Sequence, residues 1–535
     1  MATTTALLET TVGPSELGST SFVPNATMHT YVDEHADCAS CYLFIFLLLS
    51  MASYRIGQWA SHLKMLALTG YLITGILAGP DILHILSRPE IDDLRFIDRL
   101  ALALIAFTAG AELYLPHLYQ FLPSLLRIVT ATTIVGLVGF FVVAFVAAPL
   151  TDFMDRLSPG QQATVALLGA VISVASSPLA TIAIINKHRA KGPYGQMALG
   201  VVLLKDAVVI VLYAVVVHVA FGVFTDDGRP DNGLIVLYVI GELILTVLIG
   251  LAMTPFLYAL ARLDANRLDQ FARQRIFRGW TQPLLYDRFL AGNFQLFRGG
   301  LLLAAAYGLY EAQRALRDHA SIHIQYSLAC MTATATLINY KKDLRLMWSL
   351  HEMIQSIAPY VFTTFFTYVG MSFDFMLLGN VVGAAVLLFV VRIVCLFVGG
   401  YVGCWWANEP ARHGQFAFLA MIMQAGAGMA YATFLEDEFH TEGWGPSFAT
   451  MTVFMILLAQ VIGPRTLKWA LLHFKEAEKR RTRSLKRSAD ESDDDSDEDD
   501  DGDGEPYEDF MAYDPFAIHS NLVGSRRPSW RAHHS

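Results

Sequence analysis

Charged residues are scarce in this chain of 535 amino acids: Asp, Glu, Lys and Arg together make up 16% of it. Soluble domains average about 25% charged residues. Here 54% of the residues are hydrophobic, and the mean hydropathy is +0.44. This composition argues against a soluble enzyme and against a disordered protein. No basic stripe alternates with aromatic residues, so we expect no nucleic-acid partner.

Cysteine is also rare, with five residues in the whole chain. Cys38 and Cys41 form a single CxxC pair, and the other cysteines lie in apolar runs. A zinc site needs a second pair of ligands at a suitable spacing, so we expect no such site and no cofactor. The first forty residues are polar, without the basic and apolar regions of a cleavable leader. We therefore expect the first apolar segment to remain as an anchor.

Long apolar runs, by contrast, are abundant. A helix needs about 20 mostly apolar residues to cross a hydrocarbon core of about 30 Å. The runs predict an all-α, multi-pass membrane protein with thirteen transmembrane helices. Their predicted limits are 41–60, 64–86, 98–118, 121–150, 161–186, 195–223, 233–261, 294–314, 321–340, 353–378, 379–405, 414–436 and 446–473; we number them span 1 to span 13.

The loop charges predict the orientation of these spans, because positively charged loops stay cytoplasmic. Basic and acidic residues alternate between successive loops, which places the N-terminus outside or luminal and the C-terminus in the cytoplasm. The sequon at Asn25 then lies outside, where it is open to glycosylation. The basic loops hold Lys187, Arg189, Lys191, Arg262, Arg267, Arg273, Arg275, Arg278, Lys341, Lys342, Arg345, Lys475, Lys479, Arg480 and Arg481, and the acidic loops hold Asp92, Asp93, Asp152, Asp155, Asp226, Asp227, Asp231, Glu436, Asp437 and Glu438.

The net charge of −10 comes from one short part of the chain. Fourteen acidic residues lie between 490 and 509, and the rest of the chain carries a net +4. We predict an outer segment at 1–40, a transmembrane exchanger domain at 41–473, and a cytoplasmic tail at 474–535. This tail begins basic, which suits anionic lipid, and then becomes acidic and largely disordered.

Spans 5 and 12 are interrupted at mid-span. Span 5 contains Ser176, Ser177 and Pro178, and span 12 contains Gln424 between glycines. Proline removes a backbone hydrogen bond and glycine weakens a helix. Thirteen spans divide into six, a linker and six, an inverted repeat in which these two spans correspond. Paired interruptions of this kind point to a binding site at the bilayer midplane.

Four ionisable residues stand out inside the predicted spans, where a charge is costly and therefore a candidate for function. Lys205 and Asp206 occupy the middle of span 6. Adjacent residues of a helix do not face each other, so each should find another partner. Arg392, in the middle of span 11, either neutralises the C-terminal ends of the broken half-helices or pairs with a carboxylate. Glu112, in span 3, either partners Lys205 or Arg392 or reaches the membrane interface. We interpret Glu242, near the start of span 7, as an interface residue.

An ordered set of segments carries a resemblance to a known family. The set consists of GYLITGILAGPDIL at 70–83, ALIAFTAGAELYL at 103–115, the pair of spans 5 and 6, and TFFTYVGMSFDF at 364–375. From about residue 40 to residue 473, the chain resembles the monovalent cation:proton antiporter superfamily, which includes sodium/proton exchangers and potassium-efflux antiporters.

The resemblance implies thirteen helices, with a panel of spans 1–3 and 8–10 that forms a homodimer and a core of spans 4–6 and 11–13. It implies crossed, unwound helices at spans 5 and 12. Asp206 matches the essential ion-binding Asp, Ser176 and Ser177 the unwound stretch beside it, and Arg392 the basic residue of span 11. Gln424 lies in the second unwound stretch.

Lys205 departs from the family pattern, which has Asp, Asn or Gln at this position. A Lys beside the site repels a cation by up to about 4 kcal/mol at 4 Å with an effective dielectric constant near 20. Burial could hold Lys205 neutral, or Glu112 could pair with it and leave Asp206 free. If Lys205 repels the cation, removing its charge should raise the apparent cation affinity.

We predict a secondary active antiporter, not an enzyme, that exchanges Na⁺ or K⁺ for H⁺ and serves pH homeostasis in the plasma membrane or an endomembrane. Proton and cation would compete for Asp206 as the cation ligand, and oxygens near Ser176 and Ser177 would complete the coordination. With one titrating carboxylate and a constant charge on Lys205, exchange is electroneutral. If Lys205 also releases its proton, two protons move per cation and exchange is electrogenic.

Two other functions are open at this stage. The protein could be a transport-deficient membrane sensor or scaffold of the same fold, which Lys205 and the long tail would favour. It could also be an anion-coupled carrier, with Lys205 and Arg392 as the binding charges.

Overall fold

The computed structural model describes residues 26–62, 66–114, 121–188, 190, 192–224, 232–263, 292–320, 322, 324–341, 344–440 and 442–476. Two compact units divide the chain, residues 1–47 and residues 48–535. Helical residues 26–47 belong to the first unit, and every contact below lies within the second. The outer segment predicted at 1–40 lies mostly outside the described residues, as do Asn25 and the acidic part of the tail.

Helices make up the regular secondary structure of the described part, which has no strand. This confirms the predicted all-α class. The helices are α1 Ala26–His62, α2 Ala67–Ala78, α3 Arg88–Asp92, α4 Phe96–Glu112, α5 Leu122–Val146, a 3₁₀ turn Ala148–Leu150, α6 Asp152–Asp155, α7 Pro159–Val174, α8 Pro178–Lys187, α9 Pro193–Phe224, α10 Asn232–Ala261, α11 Gly292–Ala320, α12 Tyr326–Lys341, α13 Leu344–Met371, α14 Phe375–Trp406, α15 Ala411–Phe416, α16 Phe418–Met421, α17 Gly426–Glu438 and α18 Gly445–His473.

Every predicted span range contains a helix or a broken pair of helices. By length and composition, seven helical segments of the described part are able to cross a membrane, and one of them is α7 together with α8. The bent pair Ala411–Met421 and Gly426–Glu438 would make an eighth. The other ranges hold shorter or more polar helices, such as the 12 residues of α2. The protein is therefore a multi-pass membrane protein, and thirteen crossings stay a prediction.

The boundary between the helices of spans 10 and 11 differs from the predicted one. We predicted that span 10 runs to residue 378, but α13 ends at Met371 and α14 begins at Phe375. Asp374 starts the second of these helices, because its carboxylate accepts hydrogen bonds from the backbone N–H groups of Met376 at 2.8 Å and Leu377 at 3.1 Å. Such an N-cap satisfies amide groups that have no partner inside the helix.

Glycine allows two helices to approach closely where α2 crosses α13. A Cβ atom on Gly75 would lie 2.1 Å from the carbonyl oxygen of Thr367, and a Cβ on Gly370 would lie 2.3 Å from that of Leu72. Real Cβ atoms do not come within 3.0 Å of such atoms. Small residues at helix crossings let the backbones pack directly in membrane proteins.

Gly75→Ala should therefore force α2 and α13 apart and destabilise the protein, since overpacking costs about 1–3 kcal/mol. The measurement is the thermal aggregation midpoint in detergent. Gly383→Ala is the matched control, because a Cβ on this helical glycine meets no atom within 4 Å. Equal midpoints for the two variants would contradict the packing argument.

Candidate functional site

Two helix breaks face each other at the centre of the candidate site. The first separates α7 from α8 at residues 175–177, and the second separates α16 from α17 at residues 422–425. Pro178 is the first residue of α8, where its missing N–H is no loss. Ala425, before α17, has φ −151° and ψ −126°, outside the helical region. The backbone N–H of Ser177 donates to the carbonyl oxygen of Met423 at 2.9 Å, so the two breaks are directly joined.

Arg392 lies behind both breaks, with its guanidinium group buried between them. It donates to the carbonyl oxygens of Ser173 at 2.7 Å and Ala175 at 3.0 Å, at the end of α7. It also donates to those of Met421 at 3.1 Å and Ile422 at 2.9 Å, at the end of α16. The charge thus satisfies carbonyls at the negative ends of two helices. This is one of the two arrangements that the sequence left open.

The polar residues of the breaks hold the crossing together. The side-chain amide of Gln424 donates to the carbonyl oxygen of Ile172 at 2.5 Å. The hydroxyl of Ser176 donates to the carbonyl oxygen of Met421 at 3.1 Å, and the hydroxyl of Ser177 accepts from the backbone N–H of Ala180 at 3.3 Å. Ser177 is therefore the N-cap of α8.

A cavity of about 60 Å³ lies against the crossing. This is room for more than one water-sized group. Asp206 lines the cavity and is 4% exposed, and its Oδ1 atom has no hydrogen-bond partner. The first residues of α8 and α17 line it too, so the positive ends of two helix dipoles are nearby. Its walls are Leu68, Ile105, Thr108, Ala109, Glu112, Ala175, Ser176, Ser177, Pro178, Leu179, Ile182, Asp206, Phe362, Phe366 and residues 424–428.

Lys205 is fully buried and does not line this cavity. Its amine donates to the hydroxyl of Ser176 at 3.4 Å and lies 4.0 Å from the sulfur of Met421. Lys205 and Asp206 thus project from α9 in different directions, as neighbouring helical residues must.

Glu112 lines the cavity with Asp206. Among the described residues, it forms no ion pair with Lys205 or Arg392, so the pairing predicted as one alternative is absent from this structure. No group of three or more His, Cys, Asp or Glu residues able to hold a metal occurs in the described part of the chain.

Sequence reasoning missed two features around the site. We interpreted Glu242 as an interface residue, but it is buried, with its carboxylate 3.8 Å from Nε2 of His218. The second feature is Glu476, whose carboxylate accepts from the backbone N–H groups of Tyr194 at 2.9 Å and Gly195 at 2.8 Å. It caps the first turn of α9, the helix that carries Lys205 and Asp206. The signal available in the sequence was an acidic residue shortly after the end of the last predicted span.

Comparisons with known proteins bear on the family and the fold of the chain. The family model described as "Sodium/hydrogen exchanger, transmembrane" matches residues 46–276 and 295–473. The fold is similar to the sodium proton antiporter MjNhaP1 from Methanocaldococcus jannaschii at pH 8, with a TM-score of 0.59 and 14% identity over 81% of this chain and 98% of that one. An electron-microscopy structure of MjNhaP1 gives a TM-score of 0.60 and 14% identity over 82% of this chain and 98% of that one. No curated protein sequence matches significantly.

The chain therefore belongs to the sodium/hydrogen exchanger family, because the family model covers most of its length. The predicted superfamily is confirmed. Members of this family are membrane transporters and not enzymes, and their activity is cation/proton antiport.

Arg392→Gln should destabilise the fold severely, because a buried carbonyl left without a donor costs roughly 1–3 kcal/mol. Four carbonyls accept from this side chain, and that of Met421 has Ser176 as a second donor. Arg392→Lys should restore little of the stability, since the single amine of lysine cannot replace the several donors of the planar guanidinium group. The measurement is the monodisperse fraction after heating in detergent. The control is Arg465→Gln, an exposed arginine on α18 that donates to a carbonyl of its own helix. Wild-type stability of Arg392→Gln would contradict this role.

Proposed function

We propose that this protein exchanges Na⁺ or K⁺ for H⁺ by alternating access, with both cargoes binding in turn to the Asp206 carboxylate. The observation that carries the proposal is the position of Asp206: a buried carboxylate, one oxygen without a partner, in a cavity at the crossing of two broken helices. A carboxylate in such a place can hold a proton or a small cation. Competition for one group then couples the two fluxes.

The oxygens that complete the coordination lie around the same cavity. Ser176, Ser177, Thr108 and Glu112 all line it. Monovalent and divalent hard cations prefer oxygen ligands of this kind. Gln424, Pro178 and Arg392 support the site indirectly, because they fix the two breaks, and Ser176 and Ser177 belong to the first of them.

The finer architecture belongs to the same proposal. It comprises thirteen crossings, a 6+1+6 inverted repeat, a panel of spans 1–3 and 8–10 that forms a homodimer in the lipid membrane, and a core of spans 4–6 and 11–13 that moves against it. The matched positions of the breaks in α7–α8 and α16–α17 support the repeat. We place the N-terminus outside or luminal and the tail from 474 in the cytoplasm of a plasma-membrane or endomembrane protein that serves pH homeostasis.

The geometry favours cation binding over the anion carrier. An anion carrier would need Lys205 and Arg392 to face the cargo. Arg392 instead donates to backbone carbonyls and Lys205 donates to the hydroxyl of Ser176, and neither residue lines the cavity. The group that does line it is a carboxylate.

Asp206→Asn should abolish cation-driven pH change in proteoliposomes, because an amide can neither release a proton nor neutralise a cation. Asp155→Asn is the control, since Asp155 is an exposed residue away from the cavity. An ion-replacement assay with Na⁺ and K⁺ at clamped voltage then identifies the cation. Full activity of Asp206→Asn would refute the site assignment.

Lys205→Asn tests the charge beside the site. A constant positive charge repels a proton and a monovalent cation equally, so its effect cancels where protons saturate Asp206. We expect an unchanged apparent KM for the cation at acidic pH. At alkaline pH, where no proton competes, KM should fall by about tenfold or more, within the ~4 kcal/mol available at close range.

The pH dependence separates the roles of Lys205. An equal change in KM at every pH would instead assign Lys205 a structural role through Ser176. Voltage-independent exchange in the wild type is expected from a constant Lys205 charge, and a reversal potential that requires two protons per cation would contradict it.

A further inference from the structure

Charged side chains gather at the end of α17 that the loop charges place outside. Arg95 and Arg99, at the start of α4, both donate to the Asp437 carboxylate. The Arg99 side chain is 2% exposed and lies 4.9 Å from the ring centre of Phe434. A charge so far from water is retained only where it is well paired, so these contacts are more than a solvated surface cluster.

Further contacts extend the cluster across neighbouring helices. Arg317 on α11 donates to Glu438, the residue after Asp437. The hydroxyl of Thr433 on α17 donates to Asp98 on α4 at 2.6 Å. A cavity of about 130 Å³, with mainly charged and polar walls, lies among these side chains.

The positive and negative side chains of this cluster lie on different parts of the fold. The three arginines lie on or beside the helices of spans 3 and 8, which belong to the proposed panel. The two carboxylates that they hold lie at the end of span 12, which belongs to the proposed core. Near the start of α2 and the middle of α18, the same two bodies share a neutral contact, the 3.1 Å hydrogen bond from Thr69 to Gln460. The panel and core are thus held by ion pairs at one end.

This end is far from the part of the Asp206 cavity that Glu112 lines. Arg99 and Glu112 both lie on α4, and Glu112 lines that cavity. Thirteen residues of helix separate them, or about 20 Å at 1.5 Å per residue. The charged cluster therefore lies about 20 Å along α4 from the cavity wall formed by Glu112.

We propose that Arg95 and Arg99 with Asp437, and Arg317 with Glu438, form an ionic latch that closes the outer route to Asp206 and opens once in each transport cycle. The latch rests on the proposed function for its direction, because panel and core must separate at this end for Asp206 to face outward. Asp437 and Glu438 are then gating residues. They touch no cargo, and their effect is on the fraction of time that the site is accessible from outside.

The test measures accessibility rather than transport. Ala427→Cys places a thiol in the cavity beside Asp206. A membrane-impermeant methanethiosulfonate reagent is added outside to oriented, full-length protein, and the protein without this cysteine supplies the background. Asp437→Asn should accelerate labelling by about fivefold or more, as expected for losing one well-placed interaction in the closed state.

Asp92→Asn is the matched control. Asp92 pairs with the same Arg95 at 2.8 Å, but it is half-exposed and lies on the same side of the latch as the arginine. Its removal breaks an ion pair without releasing the core, so the labelling rate should stay at the wild-type value. Acceleration by Asp92→Asn equal to that by Asp437→Asn would overturn the latch.

A second variant covers the possibility that Asp437→Asn does not fold with Arg99 buried. Glu438→Gln removes the partner of Arg317, whose side chain is 27% exposed and can be hydrated. Unchanged labelling in a folded Asp437→Asn protein, or in Glu438→Gln where the first does not fold, overturns the proposal. Because labelling needs no ion flux, this result is independent of whether Asp206→Asn abolishes exchange.

Discussion

A helix that breaks inside a membrane exposes backbone groups that lipid cannot satisfy, and the structure depends on how one arginine meets this constraint. The guanidinium of Arg392 binds four carbonyl oxygens from two broken helices. Without Arg392, each helix end would leave carbonyls unpaired in a low-dielectric interior. The planar fork of the guanidinium reaches both ends at once. Ser177, Gln424 and Ser176 then complete the joint with their own bonds across the gap.

This joint also determines the electrostatics of the site. It places a permanent positive charge at the carbonyl ends of the first half-helices and leaves the amide ends of the second half-helices facing the cavity at Asp206. Those amide ends carry partial positive charge, so they stabilise a carboxylate that lies among them. A cation that binds there must share the carboxylate with these dipoles. The cation is therefore bound moderately and reversibly, as transport requires.

Much of this arrangement could be predicted from the sequence, and the rest could not for identifiable reasons. Asp206 and Arg392 stand out because an ionisable residue within an apolar run is costly and therefore a candidate for function. Pro178 and Gln424 mark the breaks because each interrupts an apolar run. The direction of Lys205 was not predictable, since it depends on the rotation of α9 against the crossing. Glu242 looked like an interface residue because only its position along the helix was visible. Asp437 and Glu438 looked like loop acids, since pairing with Arg95, Arg99 and Arg317 requires knowledge of which helices meet.

The cap that Glu476 forms on α9 has a consequence for the tail. Helix α9 has 32 residues and is therefore a rod of about 48 Å. The chain leaves α18 at His473, and three residues later it is fastened to the start of this rod. In the proposed division, α9 and α18 both belong to the moving core. The chain that follows Glu476 is thus attached to the core. Its attachment point would be displaced in each transport cycle, while the panel stays still.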